Sequence, residues 1–109
     1  MRVWDIQPKK LCREHLLGEH RELHAIWTIL TQGKTGYSHH PETLRWRGKL
    51  HALYHRHDLL VSEMIRRGYN HNSNLDKRLA SGTRTQNDFV DSYQDQIKIL
   101  RQKNCACEV

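Results

Sequence analysis

Hydrophobic positions recur at helical spacing in three segments of the chain. From about Cys12 to Gln32, the residues Leu16, Leu23, Ile26, Trp27 and Leu30 share one face, and Gly33 is placed to end the helix. From Pro41 or Glu42 to about Arg67, a second stripe runs through Trp46, Leu50, Leu53, Tyr54, Leu60, Val61, Met64 and Ile65. Pro41 suits a first helical position. Arg66 and Arg67 complement the helix dipole in the last turn, before Gly68. Gly48 is where a kink is expected. A third helix, about Gln86 to Lys103, carries Phe89, Val90, Tyr93, Ile97 and Leu100. Only "RVWDI" alternates like a strand, and it is short. No stripe can be buried by its own helix. The pattern therefore predicts an all-α, compact single-domain bundle of about three main helices with an ordered, extended N-terminus. The domain is expected over residues 1–104, with 105–109 as a short tail. Trp4, Trp27 and Trp46 are expected in the core.

Charge adds a partner class. Eighteen Lys and Arg oppose twelve Asp and Glu, a net +6 before nine histidines are counted. A basic balance in a small domain points to a polyanion such as nucleic acid, although a merely soluble basic protein has the same composition. The start "MRVWDIQPKK" lacks an apolar signal region, and no apolar run reaches membrane length. Three cysteines, Cys12, Cys105 and Cys107, do not make a disulfide framework, which places the chain in a reducing cytoplasm. The C-x-C of the tail is a possible metal-binding pair. With no partner Cys pair, an unstructured tail is expected instead.

Residues 15–24, "HLLGEHRELH", then stand out. On a helix, His15, Glu19, Glu22, Ile26 and Ile29 follow steps of four and three and share a face that overlaps the apolar stripe. Arg13, Arg21, His20 and His24 point more nearly the other way. A carboxylate on a half-buried face costs several kcal/mol (about 3–5) unless it is paired. Either an Arg or His from elsewhere meets these glutamates, or they serve a site.

The reactive groups that could work with them are few. There is no Gly-rich phosphate loop, no G-x-S-x-G, and no cysteine beside a fixed histidine. His20 with His24, and His51 with His55, are i,i+4 pairs of the kind that hold zinc. No H-E-x-x-H is present, and Arg21 falls inside the first pair, so no metal site is expected. The chain's own α-amine is the other option. Its pKa is about 7.7–8.0 against about 10.4 for lysine, so much of it is unprotonated at neutral pH and competent to form a Schiff base. Because Arg2 is bulky, Met1 is expected to be retained.

Four stretches carry a resemblance: "MR" followed by "WDIQPK", "HL" with "EHREL" on the first helix, "TGYSHHP", and "LHALYHRHDLLVSEMIRRGYNHN". Together they resemble the pyrimidine-dimer DNA glycosylases, the phage endonuclease V family and its bacterial relatives, over roughly residues 1–75. The spacing from the terminal residue to the glutamate of the "RE" pair also agrees. The resemblance implies a small helical enzyme that excises a glycosidic bond of a cyclobutane pyrimidine dimer and then nicks the strand. It implies Met1 as the amine that attacks C1′, Glu22 as the glutamate that supports attack and proton transfer, and β-elimination as the cleaving step, with no cofactor. The carboxylate chemistry fits independently, since an oxocarbenium-like sugar is stabilised by a nearby negative charge and C2′ must lose a proton to a base. Glu19 and His15 are expected as supporting or ion-paired groups.

Reaching a sugar carbon in a duplex requires a bent helix and a flipped nucleotide, held through phosphate contacts. Arg2 and Arg21 rank first as contacts, then Lys9, Lys10, Lys34, His39, His40, Arg45, Arg47 and Lys49. Tyr37 is a weaker stacking candidate, and His57 is read as a core histidine. The expected partner is lesion-containing double-stranded DNA, bound by a monomer in the cytoplasm: near the nucleoid in a bacterium, or in the host for a phage. Two other readings stay open: a non-catalytic DNA-binding module on the same fold, and a metal-dependent nuclease using the histidines.

Overall fold

A computed structural model describes residues 2–71 and 73–109. Helix α1, Arg13–Gln32, begins after Cys12 and ends at Gly33, whose φ of 65° is the left-handed conformation that glycine adopts without strain. Helix α2 is a single turn, Pro41–Leu44, capped by His40 Nδ1 accepting from the Glu42 amide. Helix α3 spans Leu50–Arg66 and α4 spans Tyr93–Gln102. Short 3-10 turns occur at Pro8–Lys10 and Lys77–Leu79. No strand forms among the described residues, and "RVWDI" runs extended without one.

The stripes of α1 and α3 meet. Leu16, Leu23 and Ile26 of α1 and Leu53 and Leu60 of α3 are fully enclosed. Each such side chain contributes about 1.5–3 kcal/mol, which is what lets two strongly charged helices pack. Val3, Trp4, Ile6, Trp46 and Leu100 close the same core, and Trp27 joins it, as the sequence predicts.

Two expected helices differ. The second is broken between Leu44 and Leu50, at Gly48 with φ 71°. The loop at Gly82 fills the break, so closely that a Cβ on Gly82 would lie 2.0 Å from the Gly48 carbonyl oxygen. That loop caps α3: the amides of His51 and Ala52 donate to the carbonyls of Ser81 and Thr83 at 2.7 and 3.1 Å. The third helix starts only at Tyr93, where the Ser92 hydroxyl accepts from the Asp95 amide. Phe89 and Val90 stay about half exposed before it.

Candidate active site

Residues 2–6 form an extended segment held from several sides. The Arg2 amide donates to Glu22 Oε2 of α1 at 2.5 Å, and the Val3 amide to Glu42 Oε1 of α2 at 3.2 Å. Arg45 Nη2 donates to the Val3 carbonyl at 2.8 Å. The Asp5 amide donates to Gln96 Oε1 of α4, and Gln96 Nε2 returns a bond to Asp5 Oδ2, both at 2.8 Å. Arg2 pairs with Asp91 at 2.8 Å and lies over the Trp4 ring at 4.8 Å. The first backbone group described in the chain is thus bonded to the glutamate singled out in the sequence. Met1, the expected nucleophile, lies outside the described residues.

The two glutamates, three residues apart, have different surroundings. Glu19 is buried and takes two bonds from Arg56, Nε to Oε2 at 2.7 Å and Nη2 to Oε1 at 2.9 Å. Burial pushes its carboxyl above the ordinary range, and the Arg56 guanidinium pulls against that shift. Glu22 is half-buried in a cleft of about 240 Å³ shared with Arg2, Trp4, His15, Gly18 and Lys103. A larger cleft of about 420 Å³, near the C-terminal end of α1, is lined by Lys34, Ser38 and Arg47 but holds no carboxylate. The Glu22 cleft is built against the N-terminal segment, through Arg2 and Trp4.

The predicted phosphate contacts divide. Lys9, Arg21, Lys34, His39 and Arg47 are exposed, and Tyr37 is open to solvent. Lys10 is half-buried. Lys49 is half-buried too, with Nζ donating to Gln86 Oε1 at 2.7 Å. His40 is used as the α2 cap. Arg45 is not on the surface: it is buried between Glu42, at 2.7 Å, and Asp5, at 3.2 Å, and so organises the extended segment rather than reaching outward. Sequence reasoning missed Glu42, Gln96, Asp91 and the cleft cation Lys103. Their roles depend on partners distant in the chain, which no local spacing reveals.

His20 and His24 depart most from expectation. The helical wheel turned them away from the core, yet His20 is buried and His24 half-buried. His71 lies over that side of α1. His20 Nε2 lies 3.2, 3.1 and 3.2 Å from the Nε2 atoms of His57, His71 and His24, and His24 Nε2 lies 3.1 Å from that of His57. Burial, with the neighbouring imidazoles, lowers His20 and His57 to about 4, so the rings are neutral at physiological pH. His57 is buried, as read from the sequence. The other sequence pair, half-buried His51 and exposed His55, lies apart from this cluster and lines a separate cleft with Tyr54, Asp58 and Lys77.

The tail also departs from expectation. Cys107 and Val109 pack on the core, and the Glu108 amide donates to the Lys10 carbonyl at 2.7 Å. Cys12, Cys105 and Cys107 are free thiols brought together with His15. Burial pushes the Cys107 thiol up to about 12, which makes it a poor nucleophile.

The chain is thus a small basic all-helical domain with a carboxylate cleft built against its first described residues. The family model for pyrimidine dimer DNA glycosylase matches residues 1–77, and the chain belongs to that family. No curated protein matches the chain, and no solved structure does. No helix among the described residues is long and apolar enough to cross a membrane.

Proposed function

We propose that the protein is a DNA glycosylase with abasic-site lyase activity, acting on UV pyrimidine dimers or related lesions through the α-amine of Met1 and the carboxylate of Glu22. The bond between the Arg2 amide and Glu22 carries this reading. An α-amine at residue 1 is only three covalent bonds from that amide nitrogen, whatever conformation residue 1 takes. The family membership supports the glycosylase half of the reading.

The steps balance without a cofactor. The unprotonated amine attacks C1′, and the C1′–N bond breaks with its electron pair leaving on the base. The base stays tethered to its dimer partner. The proton lost by the attached amine passes to O4′ as the C1′–O4′ bond breaks, which opens the sugar ring and gives an iminium. A base then takes a proton from C2′, and the C3′–O bond breaks, so that the downstream strand departs with a 5′-phosphate and a C2′=C3′ double bond remains conjugated to the imine. Water finally hydrolyses the imine and returns the amine. Glu22 stabilises the positive sugar and is placed for the proton transfers. Glu19, neutralised by Arg56, positions this turn of α1. Arg2 and Lys103 border the cleft where the distorted backbone would lie, with the exposed Arg21, Lys9, Lys34, His39 and Arg47 as outer contacts.

Borohydride reduction during incubation with an oligonucleotide duplex carrying one defined dimer tests this. The expected result is a covalent protein–DNA complex that disappears when the N-terminus is acetylated or extended. Trapping that survives a blocked terminus removes Met1. Salt-dependent binding with neither trapping nor nicking, on dimer and abasic duplexes alike, leaves a binding module only.

A further inference from the structure

We propose that the chain carries a structural zinc site made by Cys12, His15, Cys105 and Cys107. Their four ligand atoms lie within 4.8 Å of one another. His15 Nδ1 is 3.0 Å from Cys12 Sγ and 3.4 Å from Cys107 Sγ. In a tetrahedral zinc site, with bonds of about 2.3 Å to sulfur and about 2.0–2.1 Å to nitrogen, neighbouring ligand atoms stand roughly 3.6 Å apart. The observed spacings approach that value, and Cys₃His is a common set for structural zinc. The supports expected around such a site are also present. The Cys12 amide donates to Cys107 Sγ at 3.1 Å, the kind of outer bond that orients a thiolate ligand. Cys12 and His15 stand at the start of α1 as a C-x-x-H pair, and the tail returns as a C-x-C turn, held by the Glu108–Lys10 backbone bond. The ion would tie the tail to α1 beside the candidate active cleft, which His15 also lines. Closed four-ligand coordination makes its role structural rather than catalytic.

A different observation carries a second site, for a divalent transition metal, at His20, His24, His57 and His71. The Nε2 atoms of His20, His24 and His57 are mutually 3.1–3.2 Å apart. In a neutral imidazole each Nε2 is either a donor or an acceptor. Three atoms in mutual contact cannot alternate donor and acceptor, so at least one contact would set like against like. A fourth, His71 Nε2, adds a further contact at 3.1 Å to His20. An ion at the centre, receiving all four lone pairs, resolves the conflict. Tetrahedral bonds of about 2.0–2.1 Å would place the nitrogens roughly 3.3 Å apart, close to what is found. All-imidazole coordination suits zinc, nickel or copper.

Both sites are tested on untagged full-length protein purified without chelator. Elemental analysis of desalted wild type is expected to give two metal ions per chain. Cys105→Ser/Cys107→Ser and His24→Gln/His71→Gln are each expected to lose one, with affinity for the lost ion falling by more than the roughly 10–100-fold that outer-shell changes cost. Cobalt(II) added to apoprotein separates the sites: the near-ultraviolet thiolate-to-cobalt band should vanish in the cysteine variant and persist in the histidine variant. Chelator competition on folded wild type, followed by circular dichroism, covers the case in which a variant fails to fold. Folded wild type without a thiolate–cobalt band overturns the first site. Metal content and affinity unchanged by the histidine substitutions, or wild type that binds ions only through its cysteines, overturns the second.

Discussion

Arg56 reaches from α3 to α1 and holds Glu19 with two parallel bonds of 2.7 and 2.9 Å, leaving the carboxylate without solvent contact. This pair distinguishes Glu19 from Glu22: both border the cleft, but Glu19 is ion-paired and buried, whereas Glu22 is only half-buried. Arg56→Met should leave a buried carboxylate unpaired and destabilise the fold by about 3–5 kcal/mol. Adding Glu19→Gln should recover much of that loss, because the pair is then removed together. Urea titration of the single and double variants measures both effects, and a single variant as stable as wild type would show that the pair is idle.

Glu22→Gln keeps the side chain's size and an oxygen to accept the Arg2 amide. Its thermal midpoint should stay within a few degrees of wild type. Single-turnover cleavage of dimer-containing duplex should fall by on the order of 10²–10⁴-fold, with binding retained. A fall in affinity that accounts for the whole loss would assign Glu22 to binding.

Gly82 has φ 83° and its α-carbon faces the Gly48 carbonyl, where an added Cβ would meet oxygen at 2.0 Å. Gly82→Ala should cost more than the usual 1–3 kcal/mol (order of magnitude) of a strained position, since the loop must withdraw and uncap α3. Gly36→Ala, with open space around it, is the control and should change stability little. Thermal denaturation of the two variants side by side gives the comparison.

Glu63, near the end of α3, is bonded by both Arg66 and Arg67, which lower its carboxyl to about 2. An unfolded glutamate titrates near 4.3, so the ionised group favours the folded chain above about pH 4.3, and this contribution fades as pH falls toward 2. Glu63→Gln should therefore be less stable than wild type at pH 6, and the two should converge near pH 2. Urea midpoints across that range check the slope.

Helix α1 was legible because its periodicity is unbroken and Gly33 ends it. The second segment kept a helical pattern across Gly48, but Gly48 and the approach of Gly82 turn the backbone there, and only the latter is a long-range event. Phe89 and Val90 fit a helical stripe and still stand outside α4, because a repeat says nothing about whether a facing surface exists. The cleft carboxylate Glu22 was legible from its place on the wheel and from the family's spacing. Glu42, Arg45 and Gln96 were not read as its organisers, since each acts on residues 3–5 from far along the chain. The helical wheel turns His20 outward because a wheel contains a single helix and no neighbour. His71, which lies over it, falls in a stretch that carries no periodic signal.

The ties from Asp91 to Arg2 and from Gln96 to Asp5 join positions 89 and 91 residues apart. The extended segment thus gains two of its ties from residues well beyond the α1–α3 pair. A chain cut at the end of the family match, residue 77, would keep Glu22, Glu42 and Arg45 but lose Asp91 and Gln96, two of the groups that hold residues 2–5. The stretch beyond the family match is therefore a clamp on the cleft, and its removal should loosen residues 2–5 without dismantling the packing of α1 on α3.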